Sequence, residues 1–315
     1  MRTQQESTRN LMSNWPVERK FAVAIWLGLT ISYVLWQGIP FDRATQLLII
    51  ITASLAFTVG TSTGPLRVFA DWVPFFALLY GYDYSRGAAD SLGFKVRIEE
   101  IYNIELSWFG WIFDGQIPTV WLQQHLYDPF QIAWWESLVA LVYVSHFVAP
   151  WAIVGVLYVK DRALWAKFAR RVVTISLAAL MTYILIPAAP PWYAAREGLC
   201  DPIARIATRG WELIGLPIAG QIISLGQGVV NQVAAIPSLH AGMAVTITLF
   251  FWSRVGTKTK AFLVFYVGLM FFALVFGGEH YIFDAVLGAG YAVAVEFGCR
   301  AWERWRGPVG KNPAK

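Results

Sequence analysis

"AFLVFYVGLMFFALVFGGEHYIFDAVLGAGYAVAVEFGC", residues 261–299, holds two apolar runs, 261–278 and about 281–299, split by a short polar break. A helix crossing about 30 Å of hydrocarbon needs roughly 20 such residues, so each run is long enough to span a membrane. The break itself carries His280 and, four residues on, Asp284. Upstream, "AAIPSLHAGMAV", residues 234–245, places Pro237, Ser238 and His240 at the mouth of another apolar run, 239–254. Working outward, 21–39 and 44–62 contain no charge, 131–159 contains only Glu136 and His146, and 172–190 is clear. The stretch 66–82 is a poorer span because of Asp71 and Pro74, and is expected to be a broken or partly re-entrant helix. The pattern predicts an all-α polytopic transmembrane helix bundle of about six to seven spans.

Composition agrees. Of 315 residues, 57% are hydrophobic and 14% charged, against about 25% charged in a soluble domain. Sixteen tryptophans and thirteen tyrosines suit two membrane–water belts. The first run is too long for a secretory signal and lacks a small-residue cleavage site after it. The net charge of +5 gives no reason to expect nucleic acid as a partner, because in a membrane protein the placement of Lys and Arg matters more than their sum.

That placement orients the chain. Residues 160–171, "KDRALWAKFARR", hold five basic groups and one acid, 254–260 three and none, the tail 300–315 five and one, and the first twenty residues four and two. Residues 83–130 hold three basic groups and seven acids, and 196–235 three of each. The basic connections are therefore expected in the cytoplasm, with both termini, and the other two outside. Residues 83–130 lie outside only if 66–82 also crosses. The aromatic, acidic stretch 99–125 is expected to lie along the outer interface, and the glycine-bearing 196–235 to be surface-lying or re-entrant. Cys200 and Cys299 fall on opposite sides and cannot bridge. There is no repeat and no second domain: 1–130 reads as N-terminal spans and interfacial segment, 131–303 as the helical core and 304–315 as a tail, all one membrane domain.

Both polar motifs then meet at the outer face. Serine suits a helix N-cap, and a helix starting at "PSLH" points backbone N–H groups at whatever anion sits there. His240 stands beside that position, able to exchange a proton near neutral pH. On a helix His280 and Asp284 share a face, so that the carboxylate can fix the imidazole tautomer. A capped helix and a satisfied interfacial pair account for each motif singly; together they point to a site. Three chemistries remain open on residue type: phosphoryl transfer with one histidine as nucleophile and the other as acid, a metal site, and a proton or headgroup relay in a transporter. HxxxH or HExxH spacing is missing, and the groups lie near span ends rather than at the midplane.

"PSLHA" followed by "HYIFD" resembles the type 2 phosphatidic acid phosphatase superfamily, whose motifs read KXXXXXXRP, PSGH and SRXXXXXHXXXD. "PAAPPWYA", residues 187–194, is similar to an element of the inositol phosphorylceramide synthase branch. The resemblance covers roughly 170–300 and extends loosely over "YGYDYSRGAADSLG" and "IPTVWLQ". It implies that His280 is the nucleophile forming a phosphohistidine, Asp284 its orienting carboxylate, His240 the general acid and then base, and that Ser238 with nearby backbone N–H groups cradles phosphate. It implies no metal and no cofactor. Its substrate would be a phospholipid or lipid-linked phosphate ester or diester, hydrolysed or passed to an acceptor at the extracytoplasmic face, with phosphoinositol as the group transferred in the synthase branch and the plasma membrane as the expected location.

The chain departs from the pattern. Leu274 and Ala273 stand where the third motif has arginine and serine, and the basic first motif is absent. Phosphoryl transfer needs positive charge around the equatorial oxygens. Arg86 and Arg196, both expected outside, are the candidate replacements, and Tyr193 is a candidate headgroup contact. Glu136 and His146 could line a substrate groove and are expected first to make interhelical hydrogen bonds, Glu296 to pair with Arg300, and His125 to lie at the interface.

Overall fold

The computed structural model describes residues 15–38, 40, 43–88, 94–215 and 232–307, without the side chains of 43 and 82–88. Among the described residues every regular element is helical: α1 (Val17–Gln37), α2 (Arg43–Thr58), α3 (Pro65–Ala88), α4 (Glu99–Phe109), α5 (Pro118–Leu126), α6 (Glu136–Lys160), α7 (Arg162–Leu185), α8 (Pro191–Arg196), a 3-10 turn (Arg209–Trp211), α9 (Leu239–Phe251), α10 (Thr257–Phe276) and α11 (Ile282–Arg306). Five of them, α1, α6, α7, α10 and α11, are long and apolar enough to cross a membrane, and α9 and most of α2 are shorter apolar helices. In lipid every backbone group must be satisfied internally, which helices do. Together these seven match the six to seven spans expected, and the chain is an integral membrane protein.

Two differences from the sequence reading concern helix limits. The stretch 66–82 is not broken: α3 runs through Pro74 without interruption. Asp71, which weakened it as a span, accepts from the Tyr158 hydroxyl at 3.0 Å and is ion-paired with Arg162. The basic stretch 160–171 is not a loop either, because α7 starts at Arg162. Its Arg171 is buried against Glu296 and, at 2.7 Å, Glu303, while Arg170 reaches Glu303 at 2.8 Å. The expected Glu296–Arg300 pair forms within the same cluster, at 2.5 Å.

The described residues fall into two compact units. One comprises residues up to Leu78 together with Trp151–Ala166. Its centre is Trp72, fully buried among Phe75, Phe76, Tyr158 and Trp165. The other comprises Leu79–Pro150 and the chain from Lys167 onward, and holds both polar motifs.

In this second unit α9 lies directly on α11, and glycines set the spacing. A Cβ on Gly288 would sit 2.1 Å from the Ser238 carbonyl oxygen, and one on Gly242 would sit 3.0 Å from that of Gly288. Such backbone contact is open to small residues only. Loop segments complete the unit. Arg97 N donates to Pro187 O (2.8 Å) and Ala189 N to Arg97 O (2.9 Å), while Ala188 N donates to Val233 O (2.7 Å) and Ala235 N to Ala188 O (3.2 Å). "PAAPP" is thus laced by main chain between residue 97 and the approach to "PSLH". Cys200 and Cys299 are both free thiols.

Candidate active site

Pro237 and Ser238 open α9 as their chemistry dictates. Ser238 takes an extended conformation, and its hydroxyl accepts from Ala241 N at 3.4 Å as the N-cap. The Tyr183 hydroxyl donates to Pro237 O at 2.8 Å. Ser238 N donates to the Asp284 carbonyl oxygen at 3.0 Å, so the two polar motifs are joined main chain to main chain.

His280 sits in the turn between α10 and α11. Gly278, at φ +78°, reverses the chain there. Glu279 N and His280 N then donate to Leu274 O at 3.0 and 3.2 Å. Asp284 is fully buried; its Oδ2 accepts from Tyr281 N at 3.0 Å and faces His280 Nδ1 at 3.3 Å. A proton on Nδ1 satisfies this carboxylate and leaves Nε2 with the lone pair. The His240 and His280 rings lie 5.8 Å apart, centroid to centroid. Both begin or precede helices whose N-terminal backbone donors favour an anion.

Four neighbours were not legible in the sequence as parts of this site. His146, expected first to make an interhelical hydrogen bond and second to line a substrate groove, stacks on His240 at 3.9 Å, and Tyr143 stacks on it at 4.9 Å. Arg205 forms a two-pronged ion pair with Glu279, at 3.0 and 2.9 Å, next to His280. Burial lowers the pKa of its guanidinium, and the Glu279 carboxylate more than offsets this, so Arg205 keeps its charge. Glu105, on α4, has no exposed surface; its two oxygens accept from Ile282 N (2.9 Å) and Phe283 N (3.0 Å). Burial pushes its carboxyl up to about 7, against the pull of those two donors.

The loop that supplies Arg205 is held over the α10–α11 turn by Gln123. Its amide nitrogen donates to Ala204 O and Phe276 O, both at 2.8 Å, and its amide oxygen accepts from Ala204 N at 2.9 Å. Ile206 N adds a bond to Gly277 O at 3.3 Å. At the position where the family motif has arginine, the Leu274 side chain is fully buried.

His240, His280, Asp284 and Ser238 are therefore brought together. Tyr193 and Arg196 form a separate stack, the guanidinium 3.9 Å from the ring, with Glu197 3.6 Å from Arg196. Trp192 lies under both Arg196 (5.5 Å) and Arg205 (4.7 Å). Arg86 falls in α3, and its side chain lies outside the described residues, as do the glycines at 220, 226 and 228 and the tail from 308. His125 stacks on Trp121 away from the imidazole pair. No cluster of three or more His, Cys, Asp or Glu side chains suited to a metal ion occurs among the described residues.

Residues 118–296, more than half of the chain, match the model of the PAP2 superfamily. The chain belongs to the PAP2 superfamily. A relative, named phosphoinositol dihydroceramide synthase of Bacteroides thetaiotaomicron, is 27% identical over 267 residues, covering 80% of this chain and 82% of its own. No solved structure matches. With its apolar helices, the superfamily membership identifies a membrane enzyme acting on lipid phosphates, and the relative's name agrees with the inositol phosphorylceramide synthase-like branch that the motifs resemble.

Proposed function

We propose that this PAP2 enzyme moves a phospho-headgroup, phosphoinositol, from a phospholipid donor to a ceramide-type hydroxyl acceptor through a phosphohistidine, without a metal. The observation that carries this reading is the 5.8 Å separation of the His240 and His280 rings, about one hydrogen-bond reach on either side of one phosphoryl group. His280 Nε2 attacks phosphorus and forms an N–P bond as the P–O bond to the donor's alcohol breaks. His240 gives its proton to that departing oxygen. It then takes the proton of the acceptor hydroxyl, whose oxygen forms the new P–O bond as N–P breaks. Asp284 holds His280 in the required tautomer. Ser238 caps α9 so that its first backbone donors face the phosphate. Tyr193, Arg196 and, from α3, Arg86 are assigned to the headgroup side.

Arg205 is assigned as the cation that stands in for the missing motif arginine. Its replacement by alanine is expected to lower kcat roughly 10²-fold, the usual cost of one lost charge-stabilising donor. Arg196→Ala is expected to act mainly on KM. Steady-state kinetics on both variants check this, and equal small effects would reverse the assignment.

The extracytoplasmic placement of the site rests on charge. α11 starts beside His280 and ends with Arg300, Arg304 and Arg306, about 37 Å away at 1.5 Å per residue. Lys258 and Lys260 begin α10, which ends at the site. The basic ends are cytoplasmic by the positive-inside bias. With both termini cytoplasmic, α3 must cross along with the seven apolar helices.

The test is direct. Purified protein in vesicles containing a phosphoinositol lipid and dihydroceramide is expected to yield phosphoinositol dihydroceramide by mass spectrometry, blocked by vanadate and unchanged by EDTA. Neither transfer nor phosphate release would refute the reading, and loss of turnover on chelation would refute its metal-free form.

A further inference from the structure

The helix that carries Asp284 begins with three consecutive backbone donors, and each has a carboxylate. Tyr281 N goes to Asp284, four residues' width from His280; Ile282 N and Phe283 N go to the two oxygens of Glu105. Glu105 comes from a different element, 177 residues away in the chain. α4 is otherwise an aromatic, half-exposed helix, yet it is fixed at this point from two sides. Trp108 meets Phe283 edge to face at 5.2 Å, and Ile101 packs in one apolar cluster with Tyr281, Ile117, Val120, Ala188, Ala235 and Ile236. A carboxylate without exposed surface is costly to keep, and one that accepts two adjacent helix N-terminal donors is held in one orientation.

We propose that Glu105 is a positioning residue: its carboxylate holds the start of α11, and through it the His280–Asp284 pair, in register with His240. The effect on rate rests on the phosphotransfer reading, whereas the hold on the helix does not. Small displacements suffice, because a shift of about 1 Å at reacting groups costs on the order of 10²-fold. The titratable groups acting with Glu105 are Asp284 and Tyr281 at the head of α11; Tyr281 is in turn influenced by Tyr102 on α4 and by Cys200 from the loop after α8. Protonation turns one accepting oxygen into an O–H, so the hold is complete only well above a pH of about 7, is half lost near it and is weak below it.

Hydrogen exchange of peptides covering 281–284 tests the hold. It is expected to quicken in Glu105→Ala, less in Glu105→Gln, and not in Glu99→Ala on the exposed face of α4. Kinetics test the coupling to chemistry. Glu105→Ala is expected to lower kcat roughly 10- to 100-fold with KM within about threefold; the parent enzyme is expected to lose kcat as pH falls from 7 to 6, and Glu105→Gln to lack that fall. Unchanged exchange, or faster exchange with kcat unaltered, would overturn the proposal. If the parent protein neither transfers nor hydrolyses, the phosphotransfer reading falls. Glu105 is then judged by exchange and by the rate at which diethyl pyrocarbonate modifies His280. A severalfold change in that rate in Glu105→Ala supports positioning, and an unchanged rate refutes it.

Discussion

His280→Ala is expected to lose kcat by roughly 10⁴-fold or more, leaving only what phosphate binding and the α9 N-terminus supply. The reasoning is chemical. With Nδ1 turned to Asp284, Nε2 is the atom assigned as nucleophile in the proposed mechanism, since it keeps a lone pair with that carboxylate behind the ring. His240→Ala is expected to behave differently. It removes the proton donor for the departing oxygen, at a cost of about 10²–10⁴-fold on a lipid substrate. On an ester whose leaving group needs no proton, such as p-nitrophenolate, the first step survives and the phosphoenzyme accumulates, because its discharge still needs the base. Rapid-mix kinetics with both esters, and acid-labile phosphate on the peptide containing residue 280, separate the two roles. Turnover retained in both variants would end the two-histidine mechanism.

The second large effect belongs to a residue without a side chain. Gly288 lies one helical turn beyond Asp284, and a Cβ there would stand 2.1 Å from Ser238 O and 3.2 Å from Gly242 N. Those are main-chain atoms of the opposing helix and cannot rotate aside, so Gly288→Ala has to push α9 and α11 apart. Overpacking of this kind costs about 1–3 kcal/mol, sometimes more. Here it also strains the Ser238 N to Asp284 O bond, which sets the distance between the two imidazoles. A lower thermal midpoint in detergent and a roughly 10²-fold drop in kcat are expected together. Gly290→Ala, two positions on and with nothing within 4 Å of its Cβ, is the control and is expected to match the parent protein. Full stability and activity in Gly288→Ala would show that the glycine contact does not set the site.

What the sequence disclosed follows the range of its interactions. His280 and Asp284 are four apart and were expected on one helix face; His280 instead stands in the turn just before α11, and the short spacing still lets the pair form across the helix start, while Ser238 announces its own cap. Apolar runs mark the spans because lipid tolerates little else. Groups whose partners lie far along the chain could not be read this way. Glu105 resembled any acid of an interfacial stretch until its two acceptors met α11. Arg205 lay in a segment with balanced charge, and partners far along the chain, Gln123 and Gly277, bring that segment over the α10–α11 turn. Arg171 looked like one more cytoplasmic cation, because Glu296 and Glu303, which bury it, are on another helix. His146 sat inside an apolar run, where an interhelical bond was the ordinary expectation. The second sort of miss came from substitution: Leu274 announces that an arginine is absent, but nothing local says where its replacement stands.

The lacing of residues 97, 188 and 234 uses peptide groups alone. Side chains along that seam are therefore at liberty to drift over generations while the seam stays closed. Inserting or deleting a single residue would shift every rung and drag the approach to Pro237 out of place. Length, more than lettering, is what this part of the protein has to preserve.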